Sequence, residues 1–179
     1  MSQKLLLIFV IVITVVFAGL YSFGSTRVSP LYTVRTEIML PASPEKSWNV
    51  LTDFARYPEW NPYLPTVEGR FSTGESLSFT LVDENFPEPL ELTAQLGPVL
   101  VNRRFYWTGH VGVQGLFDTR HVFELHPRDD GNTDLYHYEE FRGLIPALLP
   151  QRDKRTAYTR AAFERMNMAL YQRLKESAG

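Results

Sequence analysis

The stretch Asp153-Lys154-Arg155-Thr156-Ala157-Tyr158-Thr159-Arg160-Ala161-Ala162-Phe163-Glu164-Arg165-Met166-Asn167-Met168-Ala169-Leu170-Tyr171-Gln172-Arg173-Leu174-Lys175-Glu176 decides the fold. It holds no Pro and no Gly. Ala157, Ala161, Phe163, Met166, Ala169, Leu170 and Leu174 recur near the helical period, with Arg, Lys, Glu and Gln between them. This predicts one amphipathic helix of about 24 residues, on the order of 36 Å long. Such a helix needs an apolar surface to cover its stripe.

The residues upstream supply that surface. Tyr32 to Leu40 alternates between two faces, the pattern of a half-buried strand. Thr66–Phe71, Ser76–Val82, Leu90–Leu96, Leu100–Val111, Phe117–Pro127 and Thr133–Arg142 read as six more strands. Turn signals such as Ser72-Thr73-Gly74-Glu75 and Arg128-Asp129-Asp130-Gly131-Asn132 separate them. Between the first strand and the rest lies Pro41-Ala42-Ser43-Pro44-Glu45. Ser43 is placed as an N-cap and Pro44 as the first residue of a short helix carrying Trp48, Val50, Leu51 and Phe54. That helix ends at the aromatic turn Tyr57-Pro58-Glu59-Trp60-Asn61-Pro62. The order predicts an α+β fold: a curved antiparallel β-sheet wrapped around a long C-terminal helix, with a cavity between them.

The other end of the chain has a different character. Leu5 to Leu20 is apolar apart from Thr14 and Gly19, and Tyr21 to Gly24 extend it to the length of a bilayer crossing. Residues 1–24 read as an N-terminal transmembrane anchor, spanning through residues 5–24. A signal peptide cut after Gly24 is the alternative. Residues 25–31 read as a linker and 32–179 as the folded domain. The weak charge asymmetry favours placing that domain outside the cytoplasm, as a single-pass membrane protein.

Composition excludes several classes. The 179 residues carry 18 Lys+Arg and 20 Asp+Glu, a net charge of -2, which lacks the basic footprint of a nucleic-acid binder. There is no cysteine, so disulfides, thiolate metal sites and thiol nucleophiles are absent. His121 and His126 fall on opposite strand faces, and no metal-ligand spacing occurs elsewhere. Neither a metal nor a cofactor is expected.

A resemblance adds to this reading. Leu40-Pro41-Ala42-Ser43-Pro44-Glu45-x-Ser47-Trp48 resembles the opening of the START-like (SRPBCC) superfamily, the polyketide cyclase–dehydrase type with a helix-grip fold. Phe54-x-x-Tyr57-Pro58-x-Trp60-Asn61-Pro62 is similar to that family's helix-to-strand connection. Gly115-Leu116-Phe117-Asp118-x-x-His121-x-Phe123 and His137-x-Glu139-x-Phe141-x-Gly143 look like late strands of one bacterial subgroup, and Phe163-x-x-Met166-Asn167-x-Ala169-Leu170 like its last helix. The resemblance implies a helix-grip fold and binding of a hydrophobic small molecule such as a lipid, quinone or polyketide-like compound. One scaffold hosts many functions, so it implies no single reaction.

Alternation places His121 and Phe123 on one face of their strand, and His137, Glu139 and Phe141 on one face of the next. Both faces are expected to point inward. Trp60, Asn61, Trp107, His121, Phe123, His137, Glu139 and Phe141 are therefore the candidate ligand-binding residues. Trp60 and Trp107 would supply apolar walls and Asn61 a polar contact. A structural role, with Glu139 and the histidines as satisfied polar core, stands against this. If the protein is instead an enzyme of the cyclase, dehydratase or hydrolase sort, Glu139 with His121 or His137 is the acid–base pair. A third reading is a protein-interaction module with a collapsed pocket. Asp83 to Glu88 reads as a solvated hairpin loop. Arg103-Arg104 and Arg152 to Arg155 read as exposed basic patches. Leu144 to Pro150 is an apolar segment that covers the cavity mouth or packs as core.

Overall fold

The computed structural model describes residues 3–25, 29–148 and 152–177. Seven strands form one antiparallel sheet: β1 (Tyr32–Leu40), β2 (Thr66–Glu68), β3 (Ser76–Leu81), β4 (Leu90–Leu96), β5 (Arg104–His110), β6 (Asp118–Pro127) and β7 (Thr133–Arg142). Their order is β1-β7-β6-β5-β4-β3-β2. After β1 the sheet is a meander in which each strand pairs with the next. β1 closes it by pairing along β7 from Tyr32↔Phe141 to Leu40↔Thr133. Two expected strands shorten by three residues or more. Thr66–Phe71 keeps only three residues, and the Leu100–Arg103 end of the fourth becomes a tight turn with Asn102 at φ +58°.

Between β1 and β2 come α2 (Pro44–Thr52), a 3₁₀ turn and α3 (Tyr57–Trp60). Ser43 caps α2 by accepting from the Lys46 N–H at 3.3 Å, and Pro44 occupies the first turn, where its missing N–H costs nothing. Trp48 on α2 meets Phe71 and Phe105 edge-on, which docks the helix against the sheet.

The long helix α5 runs from Arg152 to Glu176 and lies across the concave face. Its buried side is Thr159, Ala162, Phe163, Met166, Asn167, Leu170 and Leu174. The stripe is thus rotated from the one read in the sequence: Ala157 is exposed, and two polar residues, Thr159 and Asn167, face inward. The core joins this face to Phe105, Trp107, Phe123, Leu125 and Leu135 from the sheet.

α1 (Gln3–Ser25) is helical, and its apolar side chains from Leu5 to Phe17 are exposed. None of them belongs to the core. Among the described residues no helix is long and apolar enough to cross a membrane. The expected span over residues 5–24 is therefore not carried by the described residues. α1 lies against α4 (Leu144–Leu148), the short helix formed by the apolar segment after β7. Leu149 and Pro150 of that segment, and 26–28 of the expected linker, lie outside the described residues.

Candidate functional site

A cavity of about 480 Å³ opens between the sheet and the first half of α5. Its walls are mainly apolar: Val34, Leu64, Phe79, Leu92, Trp107 and Phe141 among others. Phe86, Val111 and Ile145 line it and are also exposed, which places them at its mouth, beside α4. The apolar segment after β7 thus contributes to the rim.

Four of the eight expected contacts line this space: Trp107, His121, Glu139 and Phe141. The other four do not. Trp60 packs edge-on against Tyr57, with ring centroids 5.0 Å apart. The buried Asn61 turns its Oδ1 back to accept from the Tyr63 and Leu64 N–H groups at 3.0 and 2.9 Å, so it braces the turn after α3. Phe123 stacks between Phe105 and His137 in the core. His137 is fully buried behind the cavity, flat against Phe163 of α5 at 4.1 Å. Strand alternation gives the correct face for His137 but not its depth. The sheet curls, so successive inward positions on β7 meet the helix first (His137) and the cavity next (Glu139).

His121 and Glu139 are direct cross-strand partners on β6 and β7. Glu139 is drawn up to about 8: burial disfavours its charged form most, a hydrogen bond with Thr119 opposes this, and the Asp83 charge adds to the rise. At neutral pH it is mainly a neutral acid, able to donate a proton or a hydrogen bond. His121 lies parallel to Trp107, 5.0 Å between centroids and 9° between planes. Burial, then repulsion from His137, holds its pKa well below the usual histidine value. His137 falls to about 3, again through burial, with its Asn167 bond opposing. Both rings are neutral under ordinary conditions.

Behind the cavity these rings join a buried chain. Asn167 Nδ2 donates to Thr36 Oγ1 at 2.8 Å, Asn167 Oδ1 meets His137 Nδ1 at 2.8 Å, and the two histidine Nε2 atoms meet at 2.8 Å. Most of the Asp83–Glu88 loop is exposed as expected, at Glu84, Phe86, Pro87 and Glu88, but Asp83 and Asn85 turn inward. Asp83 is buried and lines the cavity, and its Oδ1 accepts from the backbone and side-chain N–H of Asn85, both at 2.7 Å. Asn85 Nδ2 also reaches the Arg155 carbonyl and Thr159 Oγ1 on α5, at 3.1 and 3.2 Å. Tyr63, another wall residue, has its phenol pKa raised well above normal by burial, then by the charges of Glu139 and Asp83. Sequence reading missed Asp83, Asn85, Tyr63 and Asn167, since each is a polar side chain outside the strand alternation it followed. Among the described residues no group of three His, Asp or Glu is placed to hold a metal.

The family described as polyketide cyclase / dehydrase and lipid transport matches residues 32–179. The chain belongs to that family. This chain's curved antiparallel sheet and long C-terminal helix form a helix-grip arrangement, and solved structures share that fold. A START superfamily protein from Mycobacterium smegmatis superposes with a TM-score of 0.63 at 17% identity, over 80% of this chain and 97% of that one. The Zhui aromatase/cyclase from a Streptomyces gives 0.61 at 15%, over 83% and 96%. A protein from Thermus thermophilus gives 0.66 at 14%, over 83% and 100%. At these identities the likeness is one of fold. A search of the curated proteins finds no match. The START-like domain stands almost alone in those solved chains, with no room for a counterpart of α1.

Proposed function

We propose that this polyketide cyclase/dehydrase-family chain is a membrane-tethered binder of a hydrophobic small molecule: a lipid, quinone or polyketide-like compound held between the sheet and α5. The cavity carries this reading. Its ~480 Å³ lies within the usual range of ligand sites, and its apolar walls converge on a few polar groups. A neutral Glu139 among those walls suits an uncharged ligand that ends in a carbonyl or another acceptor. The tether is supported by the sequence of residues 5–24, apolar on every side. It would hold the mouth, rimmed by Phe86, Val111 and Ile145, close to the source of such ligands. The charge flanking this segment favours a domain outside the cytoplasm.

One observation favours a second reading. A carboxyl with a pKa near 8 beside a neutral imidazole is the pairing that general acid–base catalysis requires. Glu139→Gln separates the two. A binder keeps most of its affinity, because the amide still donates. An enzyme using the proton loses roughly 10²–10⁴-fold in rate.

The test of the main reading compares native and denaturing mass spectra of residues 25–179, followed by extraction. The expected result is a stoichiometric apolar adduct seen only in the native spectrum. A chain that emerges empty and takes up neither phospholipid nor quinone on titration sinks the binder reading. If the full chain stays in the aqueous phase when mixed with liposomes, the tether is lost.

A further inference from the structure

The hydrogen-bond chain behind the cavity has a direction, and Thr36 sets it. A hydroxyl carries one proton. Thr36 donates its proton to the backbone carbonyl of His137 at 3.1 Å. Its oxygen can therefore only accept from Asn167, and the Asn167 atom facing it is the amide nitrogen. The Asn167 carbonyl oxygen then faces His137 Nδ1, which must bear a proton. In a neutral ring this leaves His137 Nε2 bare. The 2.8 Å contact between the two Nε2 atoms in turn requires the proton to sit on His121. His121, neutral as well, is left with a bare Nδ1. The ring lines the cavity, and its one hydrogen bond among the described residues is the one to His137.

We propose that Asn167, which does not line the cavity, is a positioning residue that fixes His121 in the tautomer presenting an acceptor, so that His121 and Glu139 together select ligands bearing a hydroxyl or N–H beside a carbonyl on one edge. The two side chains spring from directly opposed positions on β6 and β7, where Cβ atoms stand about 5 Å apart. Glu139 gives a hydrogen bond and His121 takes one. A ligand with acceptors alone leaves Nδ1 unpaired, and one with donors alone leaves the Glu139 proton unpaired. Each omission is penalised among the apolar walls of this cavity. Trp107 and Tyr63, both near-parallel to the His121 ring, add flat walls that suit a planar group. The ligand class rests on the binding reading above, whereas the tautomer does not.

The test uses residues 25–179, because α1 contributes nothing to the core and the same fold stands without it in the solved relatives. With isotope-labelled histidine near pH 6, long-range nitrogen–proton correlation NMR reads which ring nitrogens are bare. His121 is expected as the pure Nε2–H form and His137 as the pure Nδ1–H form. Asn167→Leu is expected to leave His121 as a mixture, and Asn167→Asp, which keeps an acceptor against His137, to restore the single form. A parent protein with His121 protonated on Nδ1 overturns the proposal even if neither variant folds. Ligand class is read by titrating meta-hydroxyacetophenone, its methyl ether and acetophenone. The hydroxyl probe is expected to bind about five- to tenfold tighter than the other two, and this preference is expected to disappear in His121→Phe. Equal binding of all three overturns the ligand class and leaves the binder reading standing. If none binds while the tautomer is as expected, the ligand class is overturned, and the binder reading stands or falls by the native mass spectrum and the phospholipid and quinone titrations.

Discussion

Gly143 sits at φ +104°, where a Cβ would lie 2.6 Å from the Leu116 carbonyl oxygen and 2.9 Å from that of Gly115. Those atoms are backbone and cannot swing aside. The close approach also lets Leu144 and Ile145 donate to the same two carbonyls, at 3.1 and 2.8 Å, which ties α4 to the turn before β6 at the cavity mouth. Gly143→Ala is expected to cost about 2–4 kcal/mol through left-handed strain and displaced backbone. In a domain of this size that is a fall of roughly 5–15 °C in Tm. A thermal scan showing a shift under about 1 °C would mean that the turn relaxes freely. The residue scale is also where the sequence was least legible. His121 and His137 sit on adjacent strands with the same inward parity, yet one faces the cavity and the other faces α5. Alternation encodes the face, while depth depends on how the sheet curls. Asn167 was illegible for a related reason: a lone Asn on a helix reads as surface, and only the buried Thr36–His137 pair explains its inward position.

The elements themselves were largely legible. Leu90–Leu96, Thr133–Arg142 and the end of α5 at Glu176 match their sequence bounds, because alternation and helical period persist there over many residues. The elements that moved are those whose partners lie far away in sequence. The stretch from Asp83 to Phe86 looks like a solvated hairpin because its residues are polar, but Asn85 finds acceptors on α5 about seventy residues later. Glu84 adds an ion pair with Arg165 of that helix, at 3.0 Å between exposed side chains, worth little by itself. The loop therefore acts as a strap across one side of the cavity mouth. Asn85→Ala removes the bonds that join Asp83 to the helix and leaves a buried carboxylate without its side-chain partner. The expected loss is about 1–3 kcal/mol in denaturant unfolding. A bound apolar fluorophore should also leave faster in stopped-flow displacement, because Phe86 at the rim loses its support. Unchanged release with unchanged stability would show that the strap is ornamental to the mouth.

At the scale of the whole molecule, the interior groups pull stability in opposite directions with pH. Glu139 binds its proton more tightly when folded (about 8) than when unfolded (4.5). Between those values the unfolded chain has released the proton and the folded chain has not. Glu139 thus contributes stability below pH 4.5 that is lost as pH rises toward 8, by at most about 1.4 kcal/mol per unit. His137 and His121 are the reverse case, because their folded pKa values lie below 6.5. Below pH 6.5 the unfolded chain takes up protons that the folded chain refuses, so both histidines cost stability on acidification, His137 down to about pH 3. Two histidine slopes outweigh one glutamate slope on the acid side, and above 6.5 the glutamate acts alone. Stability is therefore expected to peak near pH 6–7. In Glu139→Gln the fall from pH 6.5 to 8 should flatten, and in His121→Phe the acid slope should weaken. Parallel curves for the parent and Glu139→Gln over that alkaline interval would show that Glu139 is ionised in the folded state. An ionised Glu139 would also be unable to donate to a ligand carbonyl, so ligand affinity is expected to decline across the same interval in which the parent loses stability.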